Sequence, residues 1–265
     1  MAMNDEIREQ TNKMKAMTPK QKWDYFWTYY KIPFWAVILG IAVLVYCIHD
    51  ARSRRDDALY AVMINADSAS IPTGALDKWD SDLAGILKLD TKKYQAYVDD
   101  SMTLSLSSSD QYSMSNSQKF MAMSAANQLD AVVADEEIYE YYSQFQYFEN
   151  LNDVLTKEQL SEYSDCLYYT DRSTFSDTDS DNFELSDLSS RKIDHHDPST
   201  MKDPIPVGIF VTDAQKVKAD KCYDYLSVKK VTYQGHTSEP VVGIPVTSKH
   251  QKAGIAFIGY IFGKN

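Results

Sequence analysis

The sequence predicts an α/β domain, with one mostly parallel sheet flanked by helices, preceded by a transmembrane helix. Three observations predict it. Ile32 to Ile48 is a run of 17 residues without a formal charge, just long enough at about 1.5 Å per residue to cross a hydrocarbon core. Beyond Asp57, short apolar runs alternate with segments of helical periodicity, and such alternation implies right-handed crossovers and a covered sheet. The length, 265 residues, leaves room for a tail, a span and one domain of about two hundred residues, enough to bury a core without staples.

The chain begins with a basic tail, residues 1–31, holding six Lys/Arg against four Asp/Glu. Thr18 is placed to cap a helix, with Pro19 at its first position and Gln21 completing a capping box. Trp23, Phe26, Trp27 and Tyr30 follow at i, i+3, i+4 and i+7. They make an aromatic collar beside the apolar run, where rings with a polar edge suit the membrane interface.

The transmembrane helix is assigned to residues 32–48 and a polar linker to 49–57. A cleaved leader has a shorter apolar core and a small-x-small site, which this stretch lacks. Leu44 to Cys47 approximates a lipid-attachment box, but Tyr46 stands where a small residue is required. Arg8, Lys13, Lys15, Lys20, Lys22 and Lys31 outnumber Arg52, Arg54 and Arg55 on the far side. The amino end is therefore expected in the cytoplasm, and residues 58–265 outside it.

In the outer domain, Leu59 to Ile64 reads as a buried strand. A helix follows with Leu76, Trp79, Leu83, Ile86 and Leu87 on one face, then the strand "YQAYVDD". "SMSNSQKFMAMSAANQ" is the next helix, and "LDAVVADEE" is a strand leading into the helix "EEIYEYYSQFQYF". Thr170 to Asp203 is polar and rich in Ser and Asp, so a long irregular excursion is expected. Regular structure resumes with the strand "IPVGIFVT" and a helix around Ala214 to Leu226. The strand "EPVVGIP" then leads to a final helix, which Ser248 and Gln251 are placed to cap and Gly263 to end.

Composition excludes some functions. After Asp57 there are 18 Lys/Arg against 31 Asp/Glu, an acidic balance that repels phosphate backbones, so no nucleic-acid partner is expected. No nucleophile elbow, P-loop, dinucleotide fingerprint or zincin motif occurs, so no enzyme, cofactor or metal centre is predicted. Asp177, Asp179 and Asp181 alternate as in a calcium loop, but Asn182 replaces the turn glycine and Leu188 the bidentate Glu. His195, His196, His236 and His250 read as surface residues. Cys166 and Cys222 read as separate thiols, with a disulfide as the alternative.

Ligands of parallel α/β sheets gather at the carboxyl ends of the strands. The residues predicted to bind a ligand are accordingly Asn65, Asp67, Ser68, Ser109, Asp110, Asp135 and Glu136, with caps and turns as the competing use of the same residue types.

"LDAVVADEEIYEYYSQFQYFENLNDVL" and "VVGIPVTSKHQKAGIAFIGYIFG" resemble segments of bacterial extracytoplasmic solute-binding proteins, which have the type 2 periplasmic-binding fold. The resemblance implies one lobe of that fold, tethered by its helix at the bacterial cell envelope. Too little chain separates Leu155 from Val241 to build a second full lobe, and Gln146 replaces a glycine common in the family. The expected function is a non-enzymatic, membrane-anchored binding or interaction module. Its expected partners are the bilayer and a membrane or envelope protein, as an accessory component of a membrane complex. The alternative is a tethered solute-binding receptor for a transporter or sensor.

Overall fold

Thr18, Pro19 and Gln21 start a helix as the capping pattern predicts: α1 (Pro19–Tyr29) opens with the Thr18 N–H donating to Gln21 Oε1 at 3.0 Å. Pro33 has no N–H to donate and crowds the preceding turn, and the helix breaks at Tyr30 before α2 (Lys31–Ser53). Lys31–His49 is long and apolar enough to cross a membrane. Trp23 and Trp27 stack at 5.8 Å, and Phe26 and Tyr30 at 5.9 Å. The structure is a computed structural model that describes residues 18–53, 55–107, 110–175 and 193–264. They divide into two units between Arg54 and Arg55.

In the second unit, period-two alternation sorts apolar residues onto two faces of a sheet. Strand β1 (Asp56–Met63) sends Leu59, Ala61 and Met63 into one core, and Val62, followed by Ile64, into another. Helix α3 (Ala75–Ile86) buries Trp79 and Leu83 in the first core and leads to β2 (Tyr94–Asp99). Helix α4 (Gln111–Ala125) places Phe120 in the second core, β3 (Ala131–Asp135) is buried on both faces, and α5 (Glu136–Gln144) adds Ile138, Tyr139 and Tyr142 to the second core.

Short helices α6 (Leu151–Val154) and α7 (Lys157–Glu162) lead to β4 (Leu167–Asp171), and β5 (Pro204–Phe210) follows. The helix expected around Ala214 to Leu226 is two, α8 (Gln215–Ala219) and α9 (Asp224–Val228), because Lys221 between them has φ +57. A hairpin of β6 (Thr232–Tyr233) and β7 (His236–Thr237) precedes β8 (Pro240–Gly243) and α10 (Gln251–Ile261). The last helix ends at Gly263, φ +73, as expected. Its start differs from expectation: Ser248 Oγ donates to Asp130 at 2.8 Å and accepts from the His250 N–H, leaving no reciprocal pair with Gln251.

The sheet order is β2-β1-β3-β8-β5-β4. It is mostly parallel, as predicted: β2, β1, β3 and β5 run one way, while β8 and β4 run antiparallel to their neighbours. Helices cover both faces, with α3 and α10 on one and α4 and α5 on the other.

Gln146 has φ +55, a left-handed conformation that costs a residue with a Cβ about 1–2 kcal/mol and that glycine adopts freely. Gln146→Gly should therefore stabilise the unit by about 0.5–1 kcal/mol, after allowing for the greater freedom of glycine in the unfolded chain. A lower denaturation midpoint in urea would contradict this.

Candidate ligand-binding site

The predicted strand-end residues fall into two groups. Asn65, at φ +59 just past β1, accepts from the Leu104 N–H at 2.9 Å and donates to the Leu104 carbonyl at 3.0 Å and to Asp135 Oδ2 at 2.6 Å. Its amide thus imitates one rung of a strand and clasps the end of β3. Asp135 also caps α5 by accepting from the Ile138 N–H. Burial pushes its carboxyl above the usual range, against the opposing Asn65 hydrogen bond.

The other group is spent locally. Asp67 accepts from Ser70 Oγ at 2.7 Å, Ser68 donates to the Asp100 carbonyl at 2.8 Å, and Asp110 caps α4 through the Tyr112 and Ser113 N–H groups. Ser109 lies outside the described residues, as do Asp177, Asp179, Asp181, Asn182 and Leu188 of the calcium pattern.

A cluster that the sequence reading missed surrounds Glu136. Glu136 and Glu140, one turn apart on α5, are both fully buried, and they face the hairpin. Its two-residue tip, Gln234 at φ +49 and Gly235 at φ +92, has the positive φ pair of a type I′ turn. The His236 imidazole Nε2 lies 2.8 Å from Glu136 Oε2. Glu140 Oε2 accepts from the Tyr233 hydroxyl at 2.6 Å and from Gln234 Nε2 at 2.8 Å.

Beneath them is His195, which the structure corrects from a surface residue to one with 2 % exposure. Its ring stacks on Tyr168 at 4.3 Å. Nδ1 lies 2.7 Å from the Tyr169 carbonyl, and Nε2 lies 3.3 Å from Glu140 Oε2. A carbonyl only accepts, so Nδ1 carries a proton, and the facing carboxylate favours a second proton on Nε2. Burial alone would lower the imidazole's affinity for that proton. The hydrogen bond and charge of Glu140 outweigh it and hold His195 above its ordinary value. The polar sequence around His195 pointed outward, and only the aromatic neighbours brought in by β4 explain the burial.

Two carboxylate oxygens of this cluster, Glu136 Oε1 and Glu140 Oε1, are buried and have no hydrogen-bond partner. Burial raises the Glu136 carboxyl, with His236 and then His195 pulling the other way. The arrangement is a buried acceptor site, closed over by the hydrogen-bond donors of the hairpin. Among the described residues no group of three or more His, Cys, Asp or Glu side chains is placed to hold a metal ion.

Elsewhere in this unit, His196 lies 3.2 Å from Glu239, and His250 lies 3.3 Å from the buried Asp130. Cys166 and Cys222, which the sequence leaves open between separate thiols and a disulfide, are both free in the structure. Burial pushes the Cys222 thiol up to about 12, which makes it a poor nucleophile.

On the α4 and α5 side, Leu106, Met114, Met121, Tyr141, Phe145 and Tyr147 line an open groove of about 810 Å³. Met114 and Met121 are more than half exposed, and methionine adapts to irregular apolar surfaces.

No protein-family model matches this chain, and no curated protein matches it in sequence. Among solved structures, the chain is similar to an ABC substrate-binding protein from Listeria monocytogenes in complex with cycloalternan. The TM-score is 0.33 at 9 % identity, over 78 % of this chain and 75 % of that one.

Proposed function

We propose that this chain is a non-enzymatic, single-pass membrane protein that holds an acidic α/β module outside the cell, where it binds another protein as an accessory part of a membrane complex. The reading rests on one observation above others. Predicted ligand residues on the six-stranded sheet are used internally: Asn65 clasps Asp135 and Leu104, Ser68 holds Asp100, and Glu136 is covered by the hairpin. A small solute needs enclosure and free polar groups, and the described residues leave few of these groups free. A protein partner needs a broad surface, and the methionine and tyrosine groove supplies an adaptable apolar one.

In this reading residues 1–31 are cytoplasmic, residues 32–48 span the bilayer, and residues 58–265 form the outer domain. Protease added to intact cells should digest the outer domain and spare the tail, and full protection would overturn the orientation. Replacing Trp23, Trp27 and Tyr30 with Ser should loosen the vertical position of the span, because interfacial rings fix its depth. Cysteine-accessibility mapping reads that shift directly, and an unchanged profile would count against the anchor. A thermal-shift screen of amino acids, sugars and metal ions near 1 mM tests the module itself. Ligand at about a hundred times its Kd would add about 2.7 kcal/mol, so one saturable micromolar hit would favour the tethered receptor instead.

A further inference from the structure

The β6–β7 hairpin covers two carboxylates that it does not fully satisfy. Tyr233, Gln234 and His236 supply donors to one oxygen of each side chain, Glu140 Oε2 and Glu136 Oε2, while both Oε1 atoms remain buried and unpartnered. One oxygen of each carboxylate thus lacks the donor that a buried polar atom normally keeps. Charge is unbalanced as well. His195 offers one positive charge between its neighbours Glu140, Glu136 and Tyr168, and His236, 42 % exposed at its side chain, can offer a second only when protonated.

The missing element is a cation with several donors. Glu136 and Glu140 are four residues apart on α5, which sets their Cβ atoms about 5–6 Å apart, a span that one planar guanidinium or one ammonium can bridge. A guanidinium carries five donors in a fixed fork and prefers carboxylates. The hairpin tip presents a weaker version of the same thing: a planar amide, a hydroxyl and an imidazole. Its own hold is polar and peripheral, since Thr232, Gly235, His236 and Thr237 are exposed. It can therefore lift without opening either hydrophobic core.

We infer that Glu136 and Glu140 form a recognition site for the guanidinium or ammonium group of a partner protein's Arg or Lys, and that the β6–β7 hairpin is a strap that fills this site in the free protein. The inference rests on the reading of this unit as a protein-binding module. It predicts competition: the partner's cation displaces Tyr233, Gln234 and His236, so apparent affinity is reduced by the fraction of molecules with the strap closed.

The test uses the full chain in detergent micelles, so its outcome does not depend on membrane orientation. Calorimetry compares an octapeptide with a central arginine, its citrulline counterpart, and agmatine as a free guanidinium. The arginine peptide should bind saturably, and citrulline should weaken it at least about tenfold, the order expected for losing one buried charged hydrogen bond. The double variant Tyr233→Phe, Gln234→Ala should bind the arginine peptide more tightly than the parent, because it loosens the strap and leaves the carboxylates intact. Hydrogen exchange at Thr232 to Thr237 should quicken on peptide binding, a readout that needs no altered protein. Agmatine binding as well as the peptide would keep the cation site but assign it a free small ligand, against the protein-binding reading. Equal binding of the arginine and citrulline peptides, or no binding to parent and strap variant at 1 mM, would overturn the inference.

Discussion

Replacing His195 with alanine is expected to lower the stability of the α/β unit by about 3–5 kcal/mol, the usual cost of breaking a buried ion pair from one side. Glu140 would keep Tyr233 and Gln234 as donors but would lose its only cationic neighbour at bonding distance among the described residues. The same substitution removes a ring stacked on Tyr168. Adding Glu140→Gln should recover part of the loss, since a neutral amide needs no counter-ion. Thermal unfolding of the full chain followed by circular dichroism reads both effects, and a loss below about 1 kcal/mol would mean the pair is not charged.

The pH dependence follows from the same group. The folded state raises the His195 affinity for a proton above the ordinary value of 6.5, so the fold binds that proton more tightly than the unfolded chain does. Its contribution is complete below the ordinary value and is lost as pH rises through the folded one. Burial lifts Asp80 to about 6, and also raises Asp135, Glu136 and Glu137. These carboxyls act in the same direction at lower pH. Desolvation works to raise Asp171, but the combined donors from Lys202, Ser173 and Asp203 outweigh it and hold the carboxyl near 2, so it opposes them as pH falls from its ordinary value of 3.8 toward 2. Stability should therefore increase as pH falls through the raised value of His195 and on past that of Asp80 near 6, and His195→Ala should flatten the upper part of that slope.

Gly243→Ala is the second large effect. A Cβ at Gly243 would collide with the Tyr139 hydroxyl and come within 2.9 Å of Phe148 Cδ1. Neither ring is free to move, because Tyr139 is fully buried, stacks on Phe148 at 4.0 Å and donates to the Val207 carbonyl at 2.8 Å. Overpacking of this kind costs about 1–3 kcal/mol and sometimes more, and the top of that range is expected here. Tyr139→Phe removes the obstructing oxygen, so the penalty for Gly243→Ala should shrink in that background. A double-mutant cycle in urea measures the coupling, and strict additivity would show that the backbone moves instead.

The parts of this architecture that were legible in the sequence are those whose signal is local. Leu59 to Met63, Trp79 with Leu83, and Ala131 to Asp135 carry their period in adjacent residues, and each is where that period places it. Strand β4 was not read because "LYYTD" borders the polar excursion, and its partner β5 lies more than thirty residues away. The hairpin escaped notice because each strand has two residues and its tip is Gln-Gly, a weak form of the Asn-Gly signal.

For the site, Asn65, Asp135 and Glu136 were singled out by their position at strand ends, and the structure ties Asn65 to Asp135. Glu140, His195, Tyr168 and Tyr233 were not, because charge and polarity in a sequence point to solvent. Their burial comes from contacts made across 93 residues for Tyr233 and Glu140, and 27 for Tyr168 and His195. No periodicity records such contacts.

The placement of β8 governs the order in which this protein can be made. It pairs with both β3 and β5, so the strand that follows all the other described strands in the chain forms the middle of the sheet. Until Pro240 to Gly243 have left the ribosome, the inner edge of β3 has no neighbour, and its "AVVAD" run is an open template for pairing with other chains. Nascent chains shorter than this can assemble β1, β2 and β3 but cannot join them to β4 and β5. Folding is then a late event dominated by long-range pairing, which is slow and vulnerable to aggregation.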